Sequence, residues 1–228
     1  MKKIIGITGG VGSGKSTILD ILEKEYGAKI IKGDKIGHEA FEKNSDTYKK
    51  IVGHFGDQIL SADGEIDHKK LAEIIFNDNN AKKWINDLIH PFALDRIKSE
   101  IKRWENDKNT DSSYNRDPIQ TTSVPNKHDT DTESLNKKMS IELMIIETAL
   151  MFETGCDKLC DEVWAVITDR DIRIDRLIRD RGYTKEKAIS IIASQLPDKE
   201  LIKKSDKTIV NNSSIDDLIK NINSAIHD

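Results

Sequence analysis

Cysteine is almost missing from the chain: Cys156 and Cys160 are the only two in 228 residues, and no Cys or His cluster of zinc-ligand spacing stands near them. A disulfide framework and a zinc site are thereby disfavoured, and two reduced thiols near a strand edge are the expectation. Proline occurs four times and aromatic residues make up 5%. No apolar run approaches the roughly 20 residues that a membrane span needs, and Met1-Lys2-Lys3 followed by Ile4, Ile5 and Ile7 is too short for a signal-peptide core. Charge of one sign is also lacking: 36 Lys and Arg stand against 40 Asp and Glu, so nothing advertises nucleic acid. The expectation is a cytoplasmic protein with no membrane or nucleic-acid partner. The sequence leaves the oligomeric state open, with a monomer favoured. What is present, 36% hydrophobic residues in a chain of this length, suffices for the core of one elaborated α/β domain.

Ile4-Ile5-Gly6-Ile7-Thr8 is a short apolar run ending in a glycine loop, and from Thr17 to Lys24 the residues Ile18, Ile21 and Leu22 recur at helical spacing. The pattern predicts strand, loop, helix. Ala28 to Ile31 is a second strand reached after Gly27, and the β-α-β unit so formed implies a parallel sheet. Residues 35–103 are mainly helical in pattern, with Ile51, Val52 and Phe55, then Leu71, Ile74 and Ile75, then Trp84, Ile85, Leu88 and Ile89 at three-and-four spacing. They are expected to form a helical subdomain inserted into a core of residues 1–34 and 139–228. Residues 105–138 break the pattern: Asn, Asp, Ser, Thr and Lys dominate, with Pro118 and Pro125. Such a segment buries too little apolar surface to offset its ordering entropy and is expected to be a disordered surface insert without a function of its own. Beyond it, residues 141–147, 162–168 and 208–210 read as strands, and 171–180, 185–194 and 215–226 as helices. The alternation implies a doubly wound parallel sheet.

Gly9-Gly10-Val11-Gly12-Ser13-Gly14-Lys15-Ser16 fits G-x-x-x-x-G-K-[ST], a pattern expected by chance in such a length on the order of one per cent of the time. Here it follows an apolar strand and opens a helix, which aims successive backbone N–H groups and the positive helix end at one spot where a triphosphate can sit. Gly10, Val11, Gly12, Ser13, Gly14, Lys15, Ser16 and Thr17 are therefore the expected nucleotide-binding residues. Lys15 should reach the β and γ phosphates, and the Ser16 hydroxyl should ligate Mg²⁺. Asp34 follows the strand after the P-loop helix and should face the same crevice. A carboxylate there can accept the proton of a substrate hydroxyl or help hold Mg²⁺; by position alone it could equally cap a helix beginning at Lys35.

The run from Gly6 through the P-loop to Thr17, then Asp34, His54-Phe55-Gly56, Asp63-Gly64-Glu65-Ile66-Asp67 and Ile89-His90-Pro91, resembles dephospho-CoA kinases in order and rough spacing. The resemblance continues in residues 147–153, in Asp161-Glu162-Val163-Trp164, Arg176-Leu177 and Arg181-Gly182, and in Gln195 and Asn211, and covers nearly the whole chain except the polar insert. It implies a P-loop NTPase-type doubly wound parallel sheet with an inserted helical substrate-binding subdomain, residues 35–103, and a lid. It also implies transfer of the ATP γ-phosphoryl to the 3′-hydroxyl of dephospho-CoA, giving CoA and ADP. Carried over residue by residue, Asp34 matches the catalytic base. His90 and Pro91 match a pair near the acceptor, and Glu147, Phe152 and Glu153 match the strand end lining the substrate pocket. Arg176 and Arg181 fall in the lid region, and Asn211 falls where the last strand approaches the adenine. The chain departs from the family in three places: Lys32-Gly33-Asp34 keeps only the second acid of Asp-x-Asp, Ala149 replaces a proline, and Asp180-Arg181-Gly182 stands where many members carry Arg-Asp-Gly. Arg181 is the favoured lid arginine, with Arg176 and Arg179 as alternatives.

A GTPase switch is suggested by Asp34-Lys35-Ile36-Gly37 and Asn126-Lys127-His128-Asp129, but 17 residues between Ser16 and Asp34 are too few for an effector segment and an extra strand. A different small-molecule kinase on the same scaffold is the nearer rival, because fold alone does not choose the acceptor. A structural protein with a relic P-loop is disfavoured by the intact Lys15, Ser16 and Asp34.

Overall fold

A computed structural model describes residues 1–107 and 141–227. The expected insert from residue 108 onward and the Asn126-Lys127-His128-Asp129 tetrad therefore lie outside the described residues. Five strands, β1 (Lys2–Gly9), β2 (Lys29–Lys32), β3 (Glu142–Glu147), β4 (Glu162–Ile167) and β5 (Lys207–Val210), form one sheet in the order β2-β3-β1-β4-β5. Every pairing is parallel, with Ile5 beside Ile145 on one side of β1 and Ile7 beside Trp164 on the other. A parallel sheet buries both faces, so its strands read as continuous apolar runs rather than alternating ones.

Alternate side chains of those runs feed two cores. Ile5, Ile7, Ile145 and Val166 pack with α1 (Lys15–Tyr26) and α9 (Ile215–His227) through Ile18, Leu22, Leu218 and Ile222. Ile4, Met144, Ile146 and Val163 face the other way, onto Ile97, Ile101 and Trp104 of α5 (Asn79–Asn106). Each fully buried aliphatic side chain contributes about 1.5–3 kcal/mol relative to exposure. Trp164 is completely buried and satisfies its indole N–H on Glu162 Oε1 at 2.8 Å.

Between β2 and β3 lie α2 (Gly33–Glu39), α3 (Asp46–Phe55), α4 (His68–Asn77) and α5. Ile51, Phe55, Ile59, Leu71 and Ile85 form a separate apolar cluster there. Ser45, Asp67 and Asp78 cap α3, α4 and α5 by accepting backbone N–H groups of the first turn. The helix α5 runs through Glu105 and Asn106, where the polar composition suggested that structure had ended, because buried Trp104 still anchors its last turn on the sheet. After β4, α6 (Arg170–Arg181) and α7 (Lys185–Ala193) form a pair joined by Ile174, Leu177 and Ala188 and packed against Val11 of the glycine loop. The short α8 (Asp198–Lys204) follows Pro197. It escaped sequence reading because two adjacent apolar residues, Leu201 and Ile202, carry no period. Among the described residues no helix is long and apolar enough to cross a membrane.

Candidate active site

The chain moves outward from β1 in opposite directions, through α1 to β2 and later from β3 across β1 to β4, so the strand order switches at β1. Loops at the C-terminal ends of the strands then part and leave a crevice. The P-loop follows β1, Asp34 follows β2, Glu147 ends β3 and Asn211 follows β5. Residues nearly two hundred positions apart meet there for that topological reason.

Two residues beyond the loop fix its shape. Arg173 of α6 is 4% exposed; its Nε donates to Val11 O at 2.9 Å, its Nη2 to Gln195 Oε1 at 2.9 Å, and its Nη1 reaches Asp198 at 3.2 Å. Gln195 Oε1 also accepts the Val11 N–H at 2.9 Å, so both backbone groups of Val11 are clamped. A Cβ on Gly10 would stand 2.1 Å from Arg173 Nη2, and one on Gly14 would stand 2.1 Å from Asn211 Nδ2. These glycines thus admit the bracing side chains as well as a phosphate, and Gly14 in addition has φ 86°. Asn211 Nδ2 donates to Ser13 O at 2.8 Å, and Thr168 Oγ1 donates to the same carbonyl at 3.0 Å. Arg176 donates to Gly12 O and Asn211 O at 3.3 and 3.1 Å rather than pairing with Asp180.

Lys15 Nζ donates to Gly9 O at 2.9 Å and lies 3.8 Å from Glu147 Oε1. Burial disfavours both charges. It lowers the Lys15 pKa, with Glu147 and Asp34 opposing and Arg173 and Arg181 reinforcing; it raises the Glu147 pKa, with Lys15 opposing and Asp34 reinforcing.

A cavity of about 630 Å³ opens over the loop, lined by Gly10, Val11, Gly12, Gly14, Lys15, Ser16, Thr17, Asp34, Glu147, Arg176, Arg179, Arg181 and Asn211 among others. Ser13 is buried beneath it. Beyond it a second cavity of about 250 Å³ lies between α2, α5 and the turn after β3, lined by Asp34, His38, His90, Leu94, Thr148 and Leu150 among others. Asp34 borders both. It sits in the first turn of α2, whose flanking residue is Lys32, so it is not the cap of a helix starting at Lys35. Arg179 is paired with Asp180 at 2.7 Å, whereas Arg181 makes no hydrogen bond or ion pair with any described residue. Pro91, an exposed residue inside α5, lines neither cavity; nor do Phe152, whose ring lies 5.4 Å from Lys204 Nζ, and Glu153. The cysteines are free, and burial raises the thiol pKa of Cys156 to about 11. Arg173 was not found from sequence, although a charge beside Ile174 and Leu177 on the apolar side of a helix was an available signal.

A parallel sheet with its glycine loop at the switch point, Lys15 in the crevice and a carboxylate across from it defines an ATP-dependent P-loop kinase. The family model for dephospho-CoA kinase matches residues 3–112 and 116–217. A dephospho-CoA kinase of Fusobacterium nucleatum is 35% identical over 96% of this chain and 94% of its own length, and one of Lactobacillus johnsonii is 29% identical over 100% and 98%. The solved dephospho-CoA kinase of Campylobacter jejuni superposes with a TM-score of 0.64 at 24% identity, covering 100% of this chain and 96% of that one, a likeness of fold. The chain belongs to the dephospho-CoA kinase family.

Proposed function

We propose that this chain transfers the γ-phosphoryl of ATP to the 3′-hydroxyl of dephospho-CoA, releasing CoA and ADP in the last step of CoA biosynthesis. One observation carries the reading: Asp34 borders the P-loop cavity and the apolar cavity alike. A single carboxylate thus stands where a donor phosphate and an acceptor hydroxyl would meet. The acceptor oxygen bonds to the γ-phosphorus as the bond from that phosphorus to the β-phosphate oxygen breaks. ADP leaves with the electron pair, and the hydroxyl proton passes to Asp34.

Lys15 is assigned to the β and γ phosphates and moves to them from Gly9 O and Glu147. Arg176 and Asn211 hold the loop at the nucleotide. Arg181 is assigned as the lid arginine, supported by its place on the cavity and its lack of a partner among the described residues. Closure of the α6–α7 pair excludes water, which would otherwise hydrolyse ATP. His90 is assigned to the acceptor side; Pro91, Phe152 and Glu153, which the resemblance puts near the acceptor, stand off both cavities and are assigned no contact with the ligand. Residues 35–103 are read as the acceptor-binding subdomain.

The oxygen donors around the loop, the Ser16 hydroxyl and the Asp34 and Glu147 carboxylates, suit Mg²⁺. Among the described residues no three His, Cys, Asp or Glu gather as a metal cage, which fits an ion held largely by phosphate oxygens and water. When bound, the ion neutralises phosphate charge; Ser16 would ligate it, and the two carboxylates would orient its waters.

The test is coupled ADP release with Mg-ATP and dephospho-CoA, beside nucleoside monophosphates, sugars and no acceptor, with Asp34→Asn run in parallel. Turnover on dephospho-CoA alone, reduced roughly a hundredfold or more in Asp34→Asn, is expected. Turnover on another acceptor but none on dephospho-CoA would leave a P-loop kinase and sink the substrate.

A further inference from the structure

Among the described residues the carboxylate of Asp34 makes no ion pair within 4 Å, although it feels the charge of Lys15; its direct partner is one hydroxyl. Thr148, the first residue after β3, is 6% exposed, and its N–H continues the sheet ladder onto Ile7 O at 3.2 Å. Its Oγ1 lies 3.2 Å from Asp34 Oδ1, and the Leu150 N–H reaches the same Oγ1 at 3.2 Å. A threonine hydroxyl has one proton and two lone pairs. The Leu150 N–H occupies a lone pair, and the carboxylate can only accept, so the single proton is directed to Asp34 Oδ1. Among the described residues this is the one hydrogen bond that the Asp34 side chain makes.

The backbone is arranged to allow the contact. Asp34 is carried by the first turn of α2, which lies directly against the end of β3. A Cβ on Gly33 would come within 3.0 Å of Thr148 Cβ and 3.2 Å of Glu147 O, so Gly33 is what lets the turn approach the hydroxyl. Thr148 also lines the apolar cavity in which the acceptor would sit. With Oδ1 engaged, Oδ2 is the oxygen left for the acceptor hydroxyl.

We propose that Thr148 is a positioning residue for phosphoryl transfer, orienting the Asp34 carboxylate so that its second oxygen faces the acceptor. This rests on the reading of Asp34 as the base. A carboxylate on an exposed helix turn, left without the hydroxyl, rotates among rotamers, and misplacement of a catalytic group by about 1 Å can cost on the order of a hundredfold in rate.

The experiment compares Thr148→Val, Thr148→Ala and Thr148→Ser with the parent chain and with Asp34→Asn, reading kcat and both KM values together with the thermal midpoint. Thr148→Val and Thr148→Ala should lose roughly ten- to hundredfold in kcat with the KM for ATP unchanged, and Thr148→Ser should regain most of the rate. Added to Asp34→Asn, Thr148→Val should lower the residual rate no further. The alanine variant carries the test if the valine variant does not fold. Unchanged kcat in the Val or Ala variant beside a large loss in Asp34→Asn overturns the positioning role and leaves the base reading standing. Full activity in Asp34→Asn overturns both, and losses that add in the double variant show that Thr148 does not act through Asp34.

Discussion

Lys15 and Glu147 put opposite charges 3.8 Å apart in a site where burial penalises each. For Lys15 burial is the largest cause and Glu147 the largest opposing one, so its ammonium is lost at a lower pH than that of a free lysine, and losing Glu147 lowers that pH again. The kcat/KM for ATP reports the free enzyme, in which Lys15 has no phosphate partner. Its alkaline limb should therefore fall below the ordinary lysine range of about 10.4, and Glu147→Gln should move the limb further toward neutrality. A profile in Glu147→Gln that is unmoved, or moved up, would show that Glu147 does not support the Lys15 charge. Lys15, Ser16 and Asp34 could be read from the sequence because a loop motif and a strand end specify them locally. Thr148 could not, because its role is a hydrogen bond across 114 positions to a residue on another loop. Glu147 was visible through family resemblance alone, since a carboxylate ending an apolar strand is chemically unremarked until the P-loop lysine stands beside it.

At the level of elements, α6 illustrates how a helix can serve a loop it does not adjoin in sequence. Its apolar side packs Ile174 and Leu177 against α7 and Val11, and the same side presents Arg173 to the P-loop backbone. Replacing Arg173 by alanine should cost on the order of 2–3 kcal/mol in urea denaturation, because charge-assisted hydrogen bonds to Val11 O, Gln195 and Asp198 are lost together. It should also raise the KM for ATP about tenfold, as the clamped Val11 is released. Arg173→Lys should restore little of either, since an ammonium lacks the planar fork that meets three acceptors at once. A KM for ATP equal to the parent's would show that the clamp is structural only. The existence and type of the strands and of α1, α6, α7 and α9 followed from apolar period. What that period does not report is which polar side chain on a buried face has found partners, and so Arg173 had the look of an ordinary helix charge.

On the scale of the whole molecule, the two described ends that flank residues 108–140 meet at one lysine. Lys2 Nζ donates to Trp104 O at 2.5 Å and Asp107 O at 3.4 Å, and pairs with Glu142 at 3.7 Å. That lysine begins the central strand β1, at the end opposite the P-loop. Replacing 108–140 by about six glycine and serine residues should therefore keep the kcat and both KM values, and shortening the closed loop should raise stability by roughly 1–2 kcal/mol. Loss of ATP turnover in the folded, shortened chain would show that the segment serves the site. By itself the sequence determined the P-loop, its strand and helix, the parallel α/β class and a carboxylate, Asp34, just past the second strand, because each depends on residues within a few positions of one another or on a repeating period. Tertiary structure decided the rest: that Asp34 borders two cavities, that Arg176 and Asn211 bind loop carbonyls, that Arg181 rather than Arg179 is left without a partner among the described residues, and that Pro91, Phe152 and Glu153 stand off both cavities. The physical reason is that a crevice at a topological switch point gathers the ends of separate strands. Distances between such ends are set by sheet order and core packing, which no local stretch of residues encodes.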